Sequence, residues 1–580
     1  MTQRSVNSLP PYLRRYCAEQ DYNNYTSRDH DSWRFIMRLS KAFFENHAVE
    51  IYLDGLQKTG IPTDRIPRIS EMDQALQEFG WGAVPVCGFI PPIAFLDLQA
   101  RKILPIATDM RSIDHIAYTP APDIVHEAAG HAPIIADAQY REYLTQYASV
   151  AQKTIMSRED LNLYESIRIL SDLKESPDAS QQQIIEAQLK LDQCSRNMSF
   201  VSEATKVARM AWWTVEYGLV GPISKPKIYG AGLLSSIQES QNCLNSNVKK
   251  IPLSIKCIET SYDITEPQPQ LFVANDMVHL TEVLKELEDK LCFRLGGVFA
   301  LEECRKADTV NTVVLDTGLQ ISGKLTRYEA CVNKADGDPH FLAFDGPVQL
   351  SLRNVELEAQ GIEVHKSGFS TPLGRWAQFH EKPVKLITKH DLEVVGIFVG
   401  NKSTLSLVNG FKIEGQVKRI HWNKDTLIYI TWTNCVVTRG SQRYFEPSWG
   451  DFDMPIGEKI VSAFGGPADR DRYGDYDMGG VSTQPGRISP FSAKELKDFE
   501  LYHSVRCLRD AGKNVDSVAD DLIRVFDDQW LLAIDLLEMA DKNLLSSSRV
   551  LKLKKCLEHY CTQYQDAPRE LIEKGLSLKN

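Results

Sequence analysis

The sequence predicts a multidomain protein with a mainly helical α+β amino-terminal part, an all-β middle region and a helical carboxyl-terminal region. The chain has 580 residues, and a single hydrophobic core stops growing near about 250–300 residues, so more than one core is expected. Near residue 301 the apolar pattern changes from a helical period to a strand period. We therefore expect domains at about residues 1–300, 301–485 and 486–580.

The amino-terminal part contains several helix signals. Residues 27–59 have helical spacing, whereas the Pro- and Gly-rich residues 84–92 predict a rigid apolar loop. Ser157 and Asp160 form a capping box, so residues 151–197 are expected to fold as a helical hairpin inserted in this part.

The middle region alternates apolar and polar residues in short segments. The predicted strands include residues 313–315, 348–350, 394–398 and 427–430. Residues 318–323 resemble residues 410–415, and each segment follows a hairpin signal, which favours an internal repeat of two small β units. The alternative is that short hairpins resemble one another by composition alone.

The last hundred residues favour helices again. Ser492 and Glu495 form a second capping box at the start of this region. An apolar stripe that includes Trp530 and Ile534 is interpreted as core rather than as a cofactor site. We expect the carboxyl-terminal half to mediate oligomerisation or protein binding.

Composition and charge exclude several classes of partner. The formal net charge is -11, which argues against a nucleic-acid binder because phosphate backbones attract basic surfaces. No apolar run in the sequence is long enough to cross a bilayer, and the amino terminus lacks the apolar stretch of a signal peptide. The 12 cysteines are scattered without CxxC pairs, so reduced thiols in a cytoplasmic protein are expected.

The most informative segment is His126-Glu127-x-x-Gly130-His131. Zinc-peptidase motifs place two histidines four residues apart on one helix face. Here they are five apart and would diverge by about 140° on a continuous α-helix. Gly130 can end the helix in a left-handed conformation and return His131 toward His126.

A carboxylate is needed to complete a metal site with these two histidines. Glu216 is the candidate, because it lies at the end of an otherwise apolar helix where an unpaired carboxylate is costly to bury. Two imidazoles and one carboxylate leave the open positions that non-haem Fe(II) oxygenases require. The alternatives are satisfied core histidines and a salt bridge from Glu216 to a buried Arg or Lys.

Several motifs follow one another in order between about residues 20 and 290. They are Tyr118-Thr119-Pro120-x-Pro122-Asp123, His126-Glu127-x-x-Gly130-His131-x-Pro133, Trp212-x-Thr214-Val215-Glu216-x-Gly218-Leu219, residues 229–236 and Glu266-x-Gln268-Pro269. With these motifs the sequence resembles the pterin-dependent aromatic amino acid hydroxylases, which are the phenylalanine, tyrosine and tryptophan hydroxylases. Its style is bacterial and like that of the phenylalanine 4-hydroxylases.

The resemblance implies a role for each matching residue. The implied Fe(II) ligands are His126, His131 and Glu216. The residues implied to bind tetrahydrobiopterin or a related tetrahydropterin are Gly88, Ile90, Phe95 and Glu127. The residues implied to bind the substrate are Arg111, Thr119, Trp212 and Ser235. Among these, Glu127 and Trp212 are the implied catalytic side chains, and Asp123 with Ser235 is expected to fix the imidazole tautomers.

Some of these residues also have purely structural interpretations, and some positions differ from the family pattern. Taken alone, Phe95 is more often a core residue and Arg111 more often part of a surface ion pair. Ala121 stands where relatives usually have Glu or Gln, and Ala211 replaces a common tyrosine. The hairpin at residues 151–197 is longer than usual, and no regulatory domain is expected before the hydroxylase part.

The implied function is an iron- and tetrahydropterin-dependent monooxygenase that uses O2 to hydroxylate the ring of an aromatic amino acid. Trp212 favours phenylalanine or tyrosine over tryptophan as substrate, and phenylalanine is preferred. Two alternatives stay open. One is a zinc hydrolase with Glu127 as general base, and the other is a catalytically inactive hydroxylase-like binding protein, as the changes at Ala121 and Ala211 allow.

Overall fold

The structure is a computed structural model that describes residues 4–117, 122–176, 178–263, 267–330, 339–476, 479–482, 492–564 and 568–578. Thr119, Ala121 and Glu266 therefore lie outside the described residues. None of the described helices combines the length and the apolar character that crossing a bilayer requires.

The amino-terminal half is mainly helical. Its α-helices are α1 (Arg4–Ser8), α2 (Pro11–Arg14), α3 (Ser27–His47), α4 (Ile51–Lys58), α5 (Ile69–Leu76), α6 (Pro92–Ala100), α7 (Ala138–Ala151), α8 (Arg158–Glu175), α9 (Gln181–Arg196), α10 (Glu203–Ala211), α11 (Ala231–Leu234), α12 (Ile237–Asn242), α13 (Met277–Glu288), α14 (Cys292–Leu295) and α15 (Gly297–Ala307). Two π-helices span Val125–His131 and Trp212–Glu216. The α8–α9 hairpin contains the predicted capping box, in which Ser157 and Asp160 satisfy each other's backbone N–H groups.

Small sheets support these helices. The strands are β1 (Gly82–Val86), β2 (Ile103–Ala107), β3 (Leu219–Val220), β4 (Lys227–Ile228), β5 (Lys249–Pro252) and β6 (Gln270–Ala274). β1 pairs with β2 in parallel, and the other four form a sheet in the order β4-β3-β6-β5. The loop predicted over residues 84–92 is thus wrong at its start. Pro85 is tolerated because β1 is an edge strand, and its carbonyl oxygen accepts a hydrogen bond of 2.8 Å from Ala18 N–H.

The middle region contains two antiparallel sheets. The strands are β7 (Val310–Leu315), β8 (Leu319–Ala330), β9 (Pro339–Leu352), β10 (Val355–Glu356), β11 (Phe369–Pro372), β12 (Lys402–Ser406), β13 (Phe411–Asn423), β14 (Thr426–Arg439), β15 (Gln442–Phe445), β16 (Phe452–Pro455) and β17 (Ile460–Gly465). One sheet has the order β10-β9-β8-β7-β17 with β11 added on β9, and the other has the order β12-β13-β14-β15 with β16 added on β14. Each sheet has its own buried cluster, so the region holds two small cores.

The strand predicted over residues 394–398 is wrong. This β-branched stretch overlaps helix α16 (Lys389–Val394), which begins with a capping box between Thr388 and Asp391. Gly396 then adopts a positive φ of 74°, which ends the regular structure. The local cap therefore overrides the strand preference of the valines. A further short helix in this region is α17 (Arg470–Tyr473).

The carboxyl-terminal region is helical and packs on the amino-terminal half. Its helices are α18 (Ala493–Asp510), α19 (Asp516–Val525), α20 (Trp530–Glu538), α21 (Ser547–Gln563) and α22 (Arg569–Ser577). The predicted capping box of Ser492 and Glu495 starts α18. Trp530 meets Phe35 of α3 edge to face with ring centroids 5.5 Å apart, and both belong to one continuous core. The helices therefore complete the core of the first half.

Short 3-10 helices occur throughout the described residues. They span Tyr22–Asn24, Gln77–Phe79, Ile113–His115, Ala132–Ala136, Ile255–Glu259, Ala377–Phe379, Val384–Leu386 and Pro447–Trp449.

Candidate metal centre

The two histidines share one face because their segment is a π-helix. A π-helix closes each turn with an i→i+5 hydrogen bond, so residues five apart lie on the same side. The bond from Ala132 N–H to the Glu127 carbonyl oxygen has this spacing. The left-handed Gly130 expected from the sequence is wrong, because Gly130 lies inside the π-helix.

Gly130 instead permits a close approach to another backbone. A Cβ atom at this position would lie 2.6 Å from the carbonyl oxygen of Ala231 at the start of α11. Only glycine leaves this contact free of a clash. The approach brings the segment that contains Ser235 against the face that carries His126.

Glu216 reaches the same place from the second π-helix. Its segment continues α10, and the bond from Tyr217 N–H to the Trp212 carbonyl oxygen again has i→i+5 spacing at 2.8 Å. Gly230 lies against this turn, since a Cβ there would be 2.4 Å from the Glu216 carbonyl oxygen. Two π-turns therefore aim the three side chains at one point.

The three candidate ligands have mutual distances that suit one cation. His126 Nε2 lies 3.2 Å from His131 Nε2. Glu216 Oε1 is 3.2 Å from His131 Nε2, and Glu216 Oε2 is 3.4 Å from His126 Nε2. Donors at right angles about 2.1 Å from a metal ion would be about 3.0 Å apart. The arrangement fits a metal held on one face by two nitrogens and a carboxylate.

Among the residues that the structure describes, these three form the group of metal-binding side chains whose ligand atoms all lie within 4.8 Å of one another. The salt bridge to Arg or Lys that was the alternative for Glu216 is replaced by contacts with the two imidazoles. Their role as iron ligands stays a prediction.

Ser235 prepares His126 for a metal. The Ser235 hydroxyl donates to the Ala231 carbonyl oxygen at 2.8 Å, so its lone pairs face His126 Nδ1 at 3.0 Å. Nδ1 then carries the proton and donates, which leaves the Nε2 lone pair directed at the other two ligands. Burial also lowers the pKa of His126 to about 4, which keeps this imidazole neutral.

The pKa values of Glu127, His131 and Glu216 are shifted because these side chains are buried close to one another. Burial raises the pKa of Glu127 to about 8, and its Oε2 lies 4.0 Å from His131 Nε2. Burial opposes the charge on His131, but the neighbouring Glu216 carboxylate outweighs it and raises the pKa of His131 to about 9. Burial likewise opposes the charge on Glu216, and the two imidazoles lower its pKa to about 2. The shifts of the His131 pKa and the Glu216 pKa share one cause, since His131 Nε2 and Glu216 Oε1 lie 3.2 Å apart.

Arg111 is a buried residue with its own acidic partner. Its Nε and Nη2 donate to the two carboxylate oxygens of Asp123 at 2.7 and 2.8 Å, and its Nη1 donates to the Ser235 carbonyl oxygen at 3.0 Å. Asp123 also accepts a hydrogen bond from the backbone N–H of His126 at 3.0 Å, and its role in fixing an imidazole tautomer stays a prediction. The surface ion pair considered for Arg111 is therefore a buried one, connected to His126 on both sides.

Trp212 belongs to a stack of three aromatic rings. Tyr217 stacks on one side with ring centroids 4.6 Å apart, and Tyr262 stacks on Trp212 at 4.2 Å with an angle of 7° between the planes. Trp212 Nε1 donates to Gln268 Oε1 at 3.4 Å. Tyr217 and Tyr262 are not among the site residues predicted from the sequence. The i→i+5 spacing from Trp212 could have indicated Tyr217, whereas Tyr262 comes from a distant segment without a signal.

The residues predicted to bind the pterin lie around the loop after β1. Gly88 has a positive φ of 46° and donates its N–H to Asp109 Oδ2 at 3.0 Å, and Ile90 is buried. Phe95 lies on α6, half-buried against a small apolar cluster that includes Leu13. Thr119, predicted for the substrate, lies outside the described residues.

Comparisons with known proteins agree with these features. The family model of the biopterin-dependent aromatic amino acid hydroxylases matches residues 14–154 and 191–301. Phenylalanine-4-hydroxylase of Pseudomonas aeruginosa is 26% identical over 277 residues, which are 47% of this chain and 88% of that protein. The Bos taurus protein of the same name is 30% identical over 256 residues, which are 43% of this chain and 47% of that protein.

Solved structures include an iron- and phenylalanine-bound phenylalanine hydroxylase from Chromobacterium violaceum, with 22% identity, a TM-score of 0.37 and coverage of 50% of this chain and 91% of that one. The stretch between the two matched blocks contains α8 and the start of α9. On the family match and the named relatives, residues 14–154 and 191–301 of this chain are similar to the biopterin-dependent aromatic amino acid hydroxylases.

Proposed function

We propose that this protein is an iron- and tetrahydropterin-dependent monooxygenase that hydroxylates the ring of an aromatic amino acid, with phenylalanine as the preferred substrate. One observation carries the proposal. His126, His131 and Glu216 direct two nitrogens and a carboxylate at one point, with separations of 3.2 to 3.4 Å. Relatives that the chain matches over 88% and 81% of their length are named phenylalanine-4-hydroxylase.

The three ligands would hold ferrous iron, and the loop at residues 88–90 with Phe95 and Glu127 would hold the tetrahydropterin. Together the iron and the tetrahydropterin supply the activation of O2 and the reducing electrons. The chain itself keeps His126 neutral and oriented through the hydroxyl of Ser235. Glu127 and His131 are buried, whereas the side chains of His126 and Glu216 are each 22% exposed.

Arg111 would hold the carboxylate of the amino acid substrate. Three of its five N–H groups bind Asp123 and the Ser235 carbonyl oxygen, which fixes the plane of the guanidinium. The N–H groups that these bonds do not use would donate to the substrate carboxylate. Trp212, the ring that stacks with both Tyr217 and Tyr262, would orient the substrate ring through its own edge.

The decisive experiment supplies the anaerobically purified protein with Fe(II), tetrahydrobiopterin and O2 and offers phenylalanine, tyrosine and tryptophan separately. We expect phenylalanine to give tyrosine, in amounts that depend on both iron and tetrahydropterin. Products are identified by mass spectrometry, and bound metals are measured before the assay. Bound zinc without iron, together with no hydroxylated product, would favour the hydrolase alternative.

We also propose three sequence regions, at residues 1–300, 301–485 and 486–580, of which the first and the last share one hydrophobic core, and an internal repeat within the second. The two similar segments both begin a long strand. Gly318 N–H donates to the Leu315 carbonyl oxygen at 2.8 Å, and Gly410 N–H donates to the Leu407 carbonyl oxygen at 3.0 Å. Both glycines have a positive φ, of 87° and 91°.

The strand irregularities support the repeat. In β8 the pairing register shifts between Ser322 and Lys324, on either side of a glycine. In β13 it shifts between Glu414 and Gln416, again on either side of a glycine. Bulges at matching positions are unusual for unrelated hairpins, since each extra residue must be accommodated locally.

A further inference from the structure

A short segment, residues 479–482, lies on the loop proposed to bind the tetrahydropterin. Ser482 N–H donates to the Phe89 carbonyl oxygen at 2.8 Å, and Phe89 N–H donates to Ser482 Oγ at 3.1 Å. Ser482 is 5% exposed. The segment thus pairs with the backbone of the loop between Gly88 and Ile90.

Helix α8 holds this segment from the other side. The Ser482 hydroxyl donates to Asp172 Oδ1 at 2.7 Å. Arg168 donates to the Val481 carbonyl oxygen at 3.3 Å, and Tyr164 donates to the Gly480 carbonyl oxygen at 3.0 Å. The three side chains of α8 are four residues apart in sequence, so they share one helix face.

Helix α8 and residues 479–482 both lie outside the residues that match the family model, which are 14–154 and 191–301. The loop at residues 88–90 lies inside them. The contact therefore joins segments that this chain adds to the family's fold to a loop within that fold. It is also tight. A Cβ atom on Gly88 would lie 2.7 Å from Ser482 Cβ.

Two consecutive hydrogen bonds connect the loop at residues 88–90 to the carboxylate of Asp172. Phe89 N–H donates to the Ser482 oxygen, and the Ser482 hydrogen goes to the Asp172 carboxylate. Asp172 is held in turn by Arg168 at 3.0 Å. A hydroxyl that donates to a carboxylate becomes a better acceptor, so the bond to Asp172 strengthens the bond to the loop.

We propose that Ser482 and Asp172 are positioning residues that fix residues 88–90 in the conformation that binds the tetrahydropterin. The inference rests on the proposed function, because it assigns a task to the loop of that site. Neither residue touches the iron ligands in this arrangement. Their loss should therefore weaken pterin binding more than it changes the chemistry at the metal.

The test compares Ser482→Ala, Asp172→Ala and Asp172→Asn with the unaltered protein. Ser448→Ala is the matched control, since Ser448 is an exposed serine of the middle region that donates to Glu446. The dissociation constant of 7,8-dihydrobiopterin is measured by titration calorimetry on the iron-loaded protein. The KM for tetrahydrobiopterin, the KM for phenylalanine and kcat are measured in parallel.

We expect Ser482→Ala and Asp172→Ala to raise the dissociation constant and the pterin KM about five- to tenfold, the usual effect of one lost hydrogen bond. Asp172→Asn, which keeps an accepting oxygen, should recover most of this loss. The phenylalanine KM, kcat and bound iron should stay within about twofold, and Ser448→Ala should match the unaltered protein.

An unchanged pterin dissociation constant in both alanine variants would overturn the inference while leaving the proposed function intact. Equal losses in kcat and in both KM values would also overturn it, because they would indicate a general structural role. If the unaltered protein binds dihydrobiopterin but hydroxylates no aromatic amino acid, the proposed function fails, and the calorimetric comparison still decides the inference.

Discussion

The amino-terminal half buries two polar clusters, one between α3 and the carboxyl-terminal helices and one at the two π-helices. The first, called here the arginine–carboxylate cluster, consists of Asp31, Arg34, Arg38, Arg509, Asp535 and Glu538. Arg34 lies 2.5 Å from Asp535 and 2.7 Å from Glu538, and Arg509 lies 2.8 Å from Asp535. Three cations face three anions, so the charges in this cluster balance.

The cluster at the π-helices has a different composition. His126 and His131 offer nitrogen lone pairs, Glu216 offers a carboxylate, and no Arg or Lys takes part in this convergence of ligand atoms among the described residues. Lone pairs 3.2 Å apart repel unless a proton or a cation lies between them.

The comparison distinguishes two uses of burial. The ion pairs of the arginine–carboxylate cluster fix how the carboxyl-terminal helices pack on α3. These pairs balance one another's charge without a bound ion or ligand. The π-helix cluster is incomplete without a positive charge, which is the property of a binding site. Each cluster should therefore respond differently to the loss of one member.

The largest effect is expected for Glu216→Ala. Removing the carboxylate takes away one of three ligands, so we expect iron affinity to fall at least a hundredfold and hydroxylation to fall below about one thousandth. Iron content after dialysis and product formation measure the two effects. The control is Glu446→Ala, which removes an exposed carboxylate of the middle region. Near-normal iron content and turnover in Glu216→Ala would refute the ligand assignment.

The second effect is expected for Arg509→Met. This change removes one of the two arginines that Asp31 and Asp535 share and leaves the three carboxylates of the cluster with two cations, which should lower the free energy of unfolding by about 3–5 kcal/mol. Denaturant unfolding measures the loss, and iron per folded molecule should not change. Adding Asp31→Asn should restore part of the stability, since it removes one unpaired charge. A stability loss below about 1 kcal/mol would show that the cluster is not a structural unit.

A third effect tests how the π-helix is held. Gly130→Ala places a Cβ 2.6 Å from the Ala231 carbonyl oxygen, so α11 and Ser235 must move away from His126. We expect iron affinity to fall about ten- to a hundredfold, as is usual when a partner of a metal ligand is displaced. Ala128→Gly, in the same π-helix, is the control. Equal iron affinity in Gly130→Ala and the unaltered protein would show that this approach is unimportant.

Capping boxes in the sequence correctly predicted where helices α8 and α18 begin. Ser157 and Ser492 begin helices because each satisfies backbone N–H groups three residues away, an interaction that depends on neighbours in the chain. The strand predicted over residues 394–398 failed for the same reason, since the cap at Thr388 was overlooked. The order of motifs likewise identified the three candidate ligands before any geometry was known.

Contacts between distant segments could not be predicted. The π-helix at His126 exists because Gly130 can approach Ala231, about a hundred residues later, and a single sequence contains no record of that approach. Likewise, nothing near Ser482 indicates that it meets Phe89. The shared core of α3 and the carboxyl-terminal helices also depends on tertiary packing alone.

The smallest effect concerns the dependence of stability on pH beside the arginine–carboxylate cluster. His30 is buried, and its Nδ1 accepts a hydrogen bond of 3.2 Å from Ile66 N–H. Burial, reinforced by nearby arginines, lowers the pKa of His30 to about 3. The arginines are Arg506, Arg65, Arg509 and Arg68. Protonation therefore favours the unfolded chain, where the pKa is about 6.5.

The sign follows from this difference. The contribution of His30 to stability is fully present above about pH 6.5 and is lost as the pH falls toward about 3, by about 1.4 kcal/mol per pH unit at most. Burial raises the pKa values of Asp31, Asp535 and Glu538 in the neighbouring cluster. The effect of His30 is therefore isolated by comparison with His30→Asn, which keeps an acceptor for Ile66 N–H. The advantage of the unaltered protein over this variant in denaturant unfolding should shrink between pH 7.5 and pH 5. A constant difference across that range would mean that His30 has the same pKa in the folded and the unfolded chain. Its protonation below about pH 6.5 would then add an unbalanced positive charge beside the arginine–carboxylate cluster, a group that otherwise sums to zero.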